Sequence, residues 1–247
     1  IYQHISDLLV TVFKCAALSF KDDCITEQSD SLYIFNTIDS IPKYEDEDGS
    51  DLFTFFSDLI SDSSVQESFS SLLVFQFFID NYPHIIADKL KQTVTFLLQQ
   101  SDTSNHHCLC EQSMICLYHL IDVINAGLIQ YKDEILEAIM NAISSDHDQL
   151  IIDGLTAMTE LFHKVGFNHS AIPNILDSLV KLIRKSQEIM NGCFLALNAL
   201  IFASGTDIAP YCSQLAPIFI EMIQTTENLY PIARSNASES IAQLMKN

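Results

Sequence analysis

The chain of 247 residues carries 32 acidic against 12 basic residues, a formal charge of −20, yet 48% of it is hydrophobic and its mean hydropathy is +0.20. That much apolar surface offsets the entropy of ordering and excludes disorder, while a field of this sign repels phosphate backbones and anionic membrane surfaces and attracts basic partners. Seven cysteines, an odd number set mostly among apolar helical residues, suit reduced thiols in an intracellular protein better than a disulfide framework.

Turn residues give the chain its period. Pro42 and Pro83 stand 41 residues apart, and Gly127, Gly166 and Gly205 follow at steps of 39, each between two amphipathic stretches. First helices are expected to begin near Asp23, Ser64, His106, Asp148, Gln187 and Asn228. Tetratricopeptide and ankyrin units, at about 34 and 33 residues, do not fit this spacing, whereas HEAT and armadillo units of about 40 to 47 do. The expected fold class is all-α: a HEAT-repeat α-solenoid, a right-handed superhelix of antiparallel helix pairs, in one array over residues 1–247.

Residues 1–20 read as the second helix of a partial repeat, and the start at Ile1 as the start of a segment of a longer protein. A pair over 23–61 follows, interrupted by Lys43-Tyr44-Glu45-Asp46-Glu47-Asp48-Gly49-Ser50. Consecutive carboxylates repel one another, so Glu45, Asp46, Glu47 and Asp48 are expected in an exposed loop, either a solvated turn or a docking patch for a basic segment. They lack the alternating ligands of a calcium loop. In the pair over 64–100, Ile85, Ile86, Leu90, Val94 and Leu97 form the apolar stripe of the second helix, with Asp88 on a polar position.

In the pair over 106–144 the stripe is Ile135, Leu136, Ile139 and Ile143, and Asp133, Glu137 and Asn141, at steps of four, share the opposite face. His106-His107-Cys108-Leu109-Cys110 contains zinc-ligand residue types without the spaced pairs that wrap a tetrahedral ion, and helix neighbours point apart. It reads as a helix start with buried thiols, and no metal or cofactor is expected. The pairs over 148–185 and 187–225 carry Leu155, Met158, Leu161, Phe162 and Val165, then Phe194, Leu197, Leu200 and Ile201, on their first helices. Ser170 and Asp207 are expected as N-caps, with Pro173 and Pro210 in the first turn. Pro217 should kink its helix or push the start downstream. Residues 228–247 complete the array as the first helix of a partial repeat.

Equivalent faces of a solenoid line up. Asp88, Asp133, Glu137 and Glu221 therefore form either an acidic ladder along the second helices or an ordinary wet face, interrupted by the basic trio Lys181, Arg184 and Lys185. The longest uncharged stretch, Ile189 to Thr206, reads as a buried repeat helix, so membrane insertion is not expected. No phosphate-cradling glycine loop, nucleophile elbow or zinc-binding helix motif occurs, and an enzyme is not expected.

The stretch Gly205-Thr206-Asp207-Ile208-Ala209-Pro210-Tyr211-Cys212-Ser213-Gln214-Leu215-Ala216-Pro217-Ile218-Phe219-Ile220 resembles the turn and second helix of karyopherin-β transport receptors. Asp153-Gly154-Leu155-Thr156-Ala157-Met158-Thr159-Glu160-Leu161 resembles the first helix of a late importin-β repeat, and Ala233-Arg234-Ser235-Asn236-Ala237 is similar to the HEAT arginine and small-residue pattern. Two features depart from the family. The chain has no tryptophan of the kind that clamps basic import segments, and Arg234 is the one clear HEAT arginine. The resemblance implies a nuclear import receptor shuttling between cytoplasm and nucleus. Such a receptor binds basic cargo signals and the Ran GTPase on its second-helix side and phenylalanine-glycine (FG) nucleoporins between first helices. The alternative is a HEAT scaffold of another type, for a phosphatase or for complex assembly.

Overall fold

A computed structural model describes residues 65–225 and 231–245. The helices expected over 1–20 and 23–61, with the acidic insertion Glu45, Asp46, Glu47 and Asp48, lie outside the described residues. Ten α-helices run along the rest: α1 Val65–Asn81, α2 Pro83–Asp88, α3 Leu90–Gln100, α4 His107–Ile124, α5 Lys132–Ile143, α6 Asp148–Lys164, α7 Ile172–Leu182, α8 Gln187–Ser204, α9 Cys212–Thr225 and α10 Pro231–Leu244. Short 3-10 turns occupy Asn125–Tyr131, His169–Ala171 and Gly205–Tyr211, and no strand occurs among the described residues. The protein is an all-α helical repeat.

Stacking follows from the width of the apolar faces. The first helices α1, α4, α6, α8 and α10 pack on one another in chain order, and α3, α5, α7 and α9 each pack against the first helix that follows. Second helices touch each other less closely. Leu72 and Ile79 on α1, Met114, Leu117 and Leu120 on α4, Leu155, Met158 and Leu161 on α6, and Phe194, Leu197 and Leu200 on α8 are all fully buried in one continuous core. Each such side chain contributes about 1.5–3 kcal/mol by leaving water. The long apolar spans His107–Ile143 and Gln187–Glu221 would suffice in length and composition to cross a bilayer. Each is divided by a 3-10 turn, and the apolar face of α8 (Ile189, Cys193, Phe194, Leu197, Leu200, Ile201) is core.

The turns depart from expectation in an instructive way. Gly166 and Gly205 have left-handed backbones, φ 83° and 52°, but at the third turn Asn125 takes that role (φ 32°), two residues before Gly127. Asparagine tolerates positive φ better than other residues with a side chain. Gly127 answers a different need, because a Cβ there would sit 2.9 Å from Ile124 Cγ2 and 3.2 Å from Leu90 Cδ2.

The expected caps are also corrected. Asn168, not Ser170, caps the first of these entries, its Oδ1 accepting from the Ser170 N–H at 3.1 Å, and Ala171 precedes α7 with Pro173 in the first turn. Asp207 and Pro210 fall inside the 3-10 turn Gly205–Tyr211, so α9 starts later, at Cys212. Pro217 still lies within α9, one turn and a half from its start, and removes one helical N–H there. The second helix expected from Pro83 onward is broken at Lys89 (φ −111°, ψ 20°) into α2 and α3, which turns Thr93, Val94 and Leu97 into the core.

Candidate functional site

Among the described residues, three carboxylates gather between two second helices. A cleft of about 300 Å³ between α3 and α5 is lined by Leu98, Ser101, Asp102, Glu134, Glu137, Ala138 and Asn141. Leu98 and Ala138 give it an apolar floor, and three carboxylates and an amide form its rim without any cation. Local sequence explains the arrangement. The stripe Ile135, Leu136, Ile139 and Ile143 buries one side of α5 and leaves Glu134, Glu137 and Asn141 on the outer side. Asp102 comes from the turn after α3, which Asn105 fastens by donating from Nδ2 to the carbonyls of Gln99 (2.8 Å) and Gln100 (3.3 Å). The Ser104 N–H donates to Asp102 Oδ1 at 2.9 Å and holds that carboxyl below its ordinary range.

Of the acids singled out in the sequence, Glu137 lines this cleft. Asp133 is exposed on the same helix without lining it, and Asp88 is exposed at the end of α2. Glu221 is not an open acid. Arg184 Nη2 donates to both its oxygens, at 3.0 and 2.9 Å. Lys185 in turn pairs with Asp148 at 2.8 Å. Arg184 and Lys185 are thus met by acids of other elements, which removes Glu221 from an even acidic ladder along the second helices. Asp102 and Glu134 were missed from the sequence. Glu134 stands three residues before Glu137, a helical neighbour that could have been read, whereas Asp102 reaches the cleft through tertiary folding of a turn.

Polar contacts also link one repeat to the next. His119 on α4 bonds Asp80 and Gln76 on α1, each at 2.8 Å, and Gln112 donates to Gln76 at 2.9 Å. Lys164 on α6 pairs with Asp122 on α4, His169 with Asp207, and Ser240 on α10 with Asn198 on α8. These contacts span 36 to 43 residues of sequence, one repeat each. They stand where an aspartate–arginine ladder was absent from the sequence.

Between α4 and α6 two carboxylates are drawn out of water. Burial, and then Asp153 beside it, pushes Glu111 up to about 7. Burial pushes Asp153 up to about 6 against the hydrogen bond from Gln149, and Asp153 Oδ2 has no partner. Three thiols are held protonated by the same physics: burial raises Cys110 to about 11 and Cys116 and Cys193 to about 12. The described cysteines are all free. On the outer side of α8, Leu195 and Phe202, two turns apart, are exposed apolar residues.

At the start of α4 the expectation that neighbouring side chains diverge does not hold. His106 is the cap residue, with extended backbone (φ −63°, ψ 134°), and its ring lies 4.5 Å from that of His107. The His107 ring stacks in turn on His147 of the next repeat, 4.7 Å away and 8° from parallel. Burial, then the neighbouring His106 and His147, holds His107 below the usual imidazole range.

No family model matches the chain, and no curated protein matches it in sequence. Solved structures do match in fold. The karyopherin Kap121p bound to the SUMO protease Ulp1p superposes with a TM-score of 0.80 at 10% identity over 96% of this chain and 24% of its own. The same karyopherin bound to Pho4p gives 0.76 at 11% identity, again over 96% and 24%. A designed armadillo repeat protein in complex with the peptide (KR)4 gives 0.63 at 12% identity over 98% and 94%. The chain therefore spans about a quarter of the karyopherin's length, and what it shares with all three is the architecture of a HEAT- or armadillo-type helical repeat.

Proposed function

We propose that the chain is part of a receptor of the karyopherin-β type that binds an extended basic segment along its second helices, with the cleft between α3 and α5 taking a lysine or arginine side chain. The cleft carries the reading: three carboxylates and Asn141 surround an apolar floor suited to the methylene stem of such a side chain. The net charge of −20 would speed encounter with a basic ligand. The likeness to a karyopherin solved with bound proteins and to an armadillo design solved with (KR)4 supports the same choice. On this reading Ran and FG nucleoporins are further partners, the exposed Leu195 and Phe202 being candidate contacts for the latter, and the protein works between cytoplasm and nucleus by binding, without catalysis. Asp88, Asp133 and the outlying Glu45, Asp46, Glu47 and Asp48 would extend the acidic track. Glu221, already paired, would contribute least.

Fluorescence anisotropy with a labelled (KR)4 peptide tests the cleft. The triple variant Asp102→Asn, Glu134→Gln, Glu137→Gln should bind about tenfold more weakly or worse, because it removes three charges that would face the peptide. Arg184→Ala should bind as the unaltered protein does. Equal affinity of the triple variant would remove the cleft from the proposal. A pull-down that recovers neither GTP-bound Ran nor FG repeats would favour a HEAT scaffold of another type, which affinity purification with mass spectrometry would identify by a stably associated enzyme or assembly.

A further inference from the structure

We propose that His106, His107, Cys108 and His147 form a site for a borderline transition-metal ion, with zinc the ion their chemistry suits best. The site does not depend on the peptide-binding reading.

One donor atom each from His106, His107 and Cys108 already lies within 4.8 Å of the other two. Bonds of about 2.0–2.3 Å to a tetrahedral zinc ion place its donors roughly 3.3–3.8 Å apart. Face-to-face rings aim their nitrogen lone pairs along parallel planes, so binding requires the imidazoles to turn out of the stack about their side-chain bonds until the donors converge on the ion. The backbone makes this possible: His106 precedes the helix in extended conformation, so its ring folds over that of His107 instead of diverging around the helix.

A fourth donor stands within reach on the next repeat, to be supplied once its ring turns out of the stack toward the ion. His147 occupies the same place before α6 as His106 does before α4, with a similarly extended backbone (φ −86°, ψ 115°), and it stacks on His107 at 4.7 Å. Three imidazoles and one thiolate form a donor set that favours zinc, cobalt or copper and rejects calcium and magnesium. Cys108 is only 5% exposed, so its sulfur approaches the ion from the core side while the imidazoles close over it from outside. Four protein donors leave no open position, the pattern of a structural ion. On binding, the Cys108 thiol releases its proton to solvent and the sulfur bonds the metal as thiolate. The consequence is mechanical. The ion would tie the start of α4 to the start of α6, two helices that pack on one another along apolar faces and are linked near their far ends by Lys164 and Asp122.

Titration of the metal-stripped full chain with Co2+ tests the site. Expected are the strong visible absorption of four-coordinate cobalt at one ion per chain, a thiolate-to-cobalt charge-transfer band, and loss of both on adding Zn2+. Cys108→Ser should abolish the charge-transfer band, and His147→Ala should weaken affinity at least tenfold. Because Cys108 is buried and its replacement can disturb folding, His106→Ala and His147→Ala, both altered ahead of the helices, provide an independent readout. Zn2+ should raise the melting temperature of the unaltered protein but not of these two. A weak cobalt spectrum of six-coordinate type, or equal zinc stabilisation in the histidine variants, would overturn the proposal.

Discussion

Glu111 and Asp153 show how a single pair of residues makes stability depend on pH. Their carboxyls, pushed up to about 7 and about 6 in the folded chain, ionise near 4 once exposed. The folded state therefore holds more protons between these limits. The favourable contribution is complete below about pH 4 and is lost as pH rises through 6 and 7. We expect the melting temperature to fall by a few degrees between about pH 5 and pH 8, as differential scanning fluorimetry would record. Repulsion across the acidic molecule changes in the same direction, so the comparison with Glu111→Gln isolates the pair. That variant should flatten the slope, and an unchanged slope would mean that the carboxyls are ordinary. Asn191, at the equivalent place on α8, also has a buried oxygen without a partner, yet it cannot titrate and adds nothing to this dependence.

At the scale of the element, the close approach of α5 to α6 and of α6 to α8 depends on two glycines that are otherwise poor helix residues. A Cβ on Gly154 would stand 2.9 Å from Ile143 Cγ2 and 3.3 Å from Ala142 Cβ, whereas one on Gly192 would meet the flexible Leu155, at 3.0 Å from Cδ1 and 3.3 Å from Cβ. Replacing a helical glycine by alanine gains about 1 kcal/mol of propensity, but overpacking costs about 1–3 kcal/mol. Gly154→Ala should therefore lower the denaturation midpoint, because short, stiff neighbours cannot withdraw. Gly192→Ala should lower it less, since Leu155 Cδ1 can swing aside even though its Cβ, at 3.3 Å, stays in place. Equal gains in urea unfolding for both variants would show that neither interface is tight.

Over the whole molecule, stability is a sum of neighbour contacts. The ion pairs between repeats are largely exposed and screened by solvent, so apolar stacking of the first helices holds the array while the polar links fix its register. Looser contact among the second helices leaves room for small rotations that accumulate along the chain. Filling the cleft between α3 and α5 should draw two second helices together. Small-angle scattering of the full chain should therefore differ with and without saturating (KR)4, and superimposable profiles would contradict such flexing.

The sequence by itself determined the repeat and the composition of its core. Apolar residues at helical spacing, such as Leu155, Met158 and Leu161, can be buried only by stacking, and turn glycines such as Gly166 and Gly205 announce where each helix ends. Those signals are local, because a helix relates residues three and four apart. The partners of the charges were not local. Whether Glu221 was open or paired depended on Arg184, 37 residues earlier; Asp102 joined Glu137 only through the packing of α3 beside α5; and His147 met His107 across a repeat boundary. Tertiary structure alone decided these, since charge complementarity acts through space and the distance between two repeats is not written in the spacing within either one.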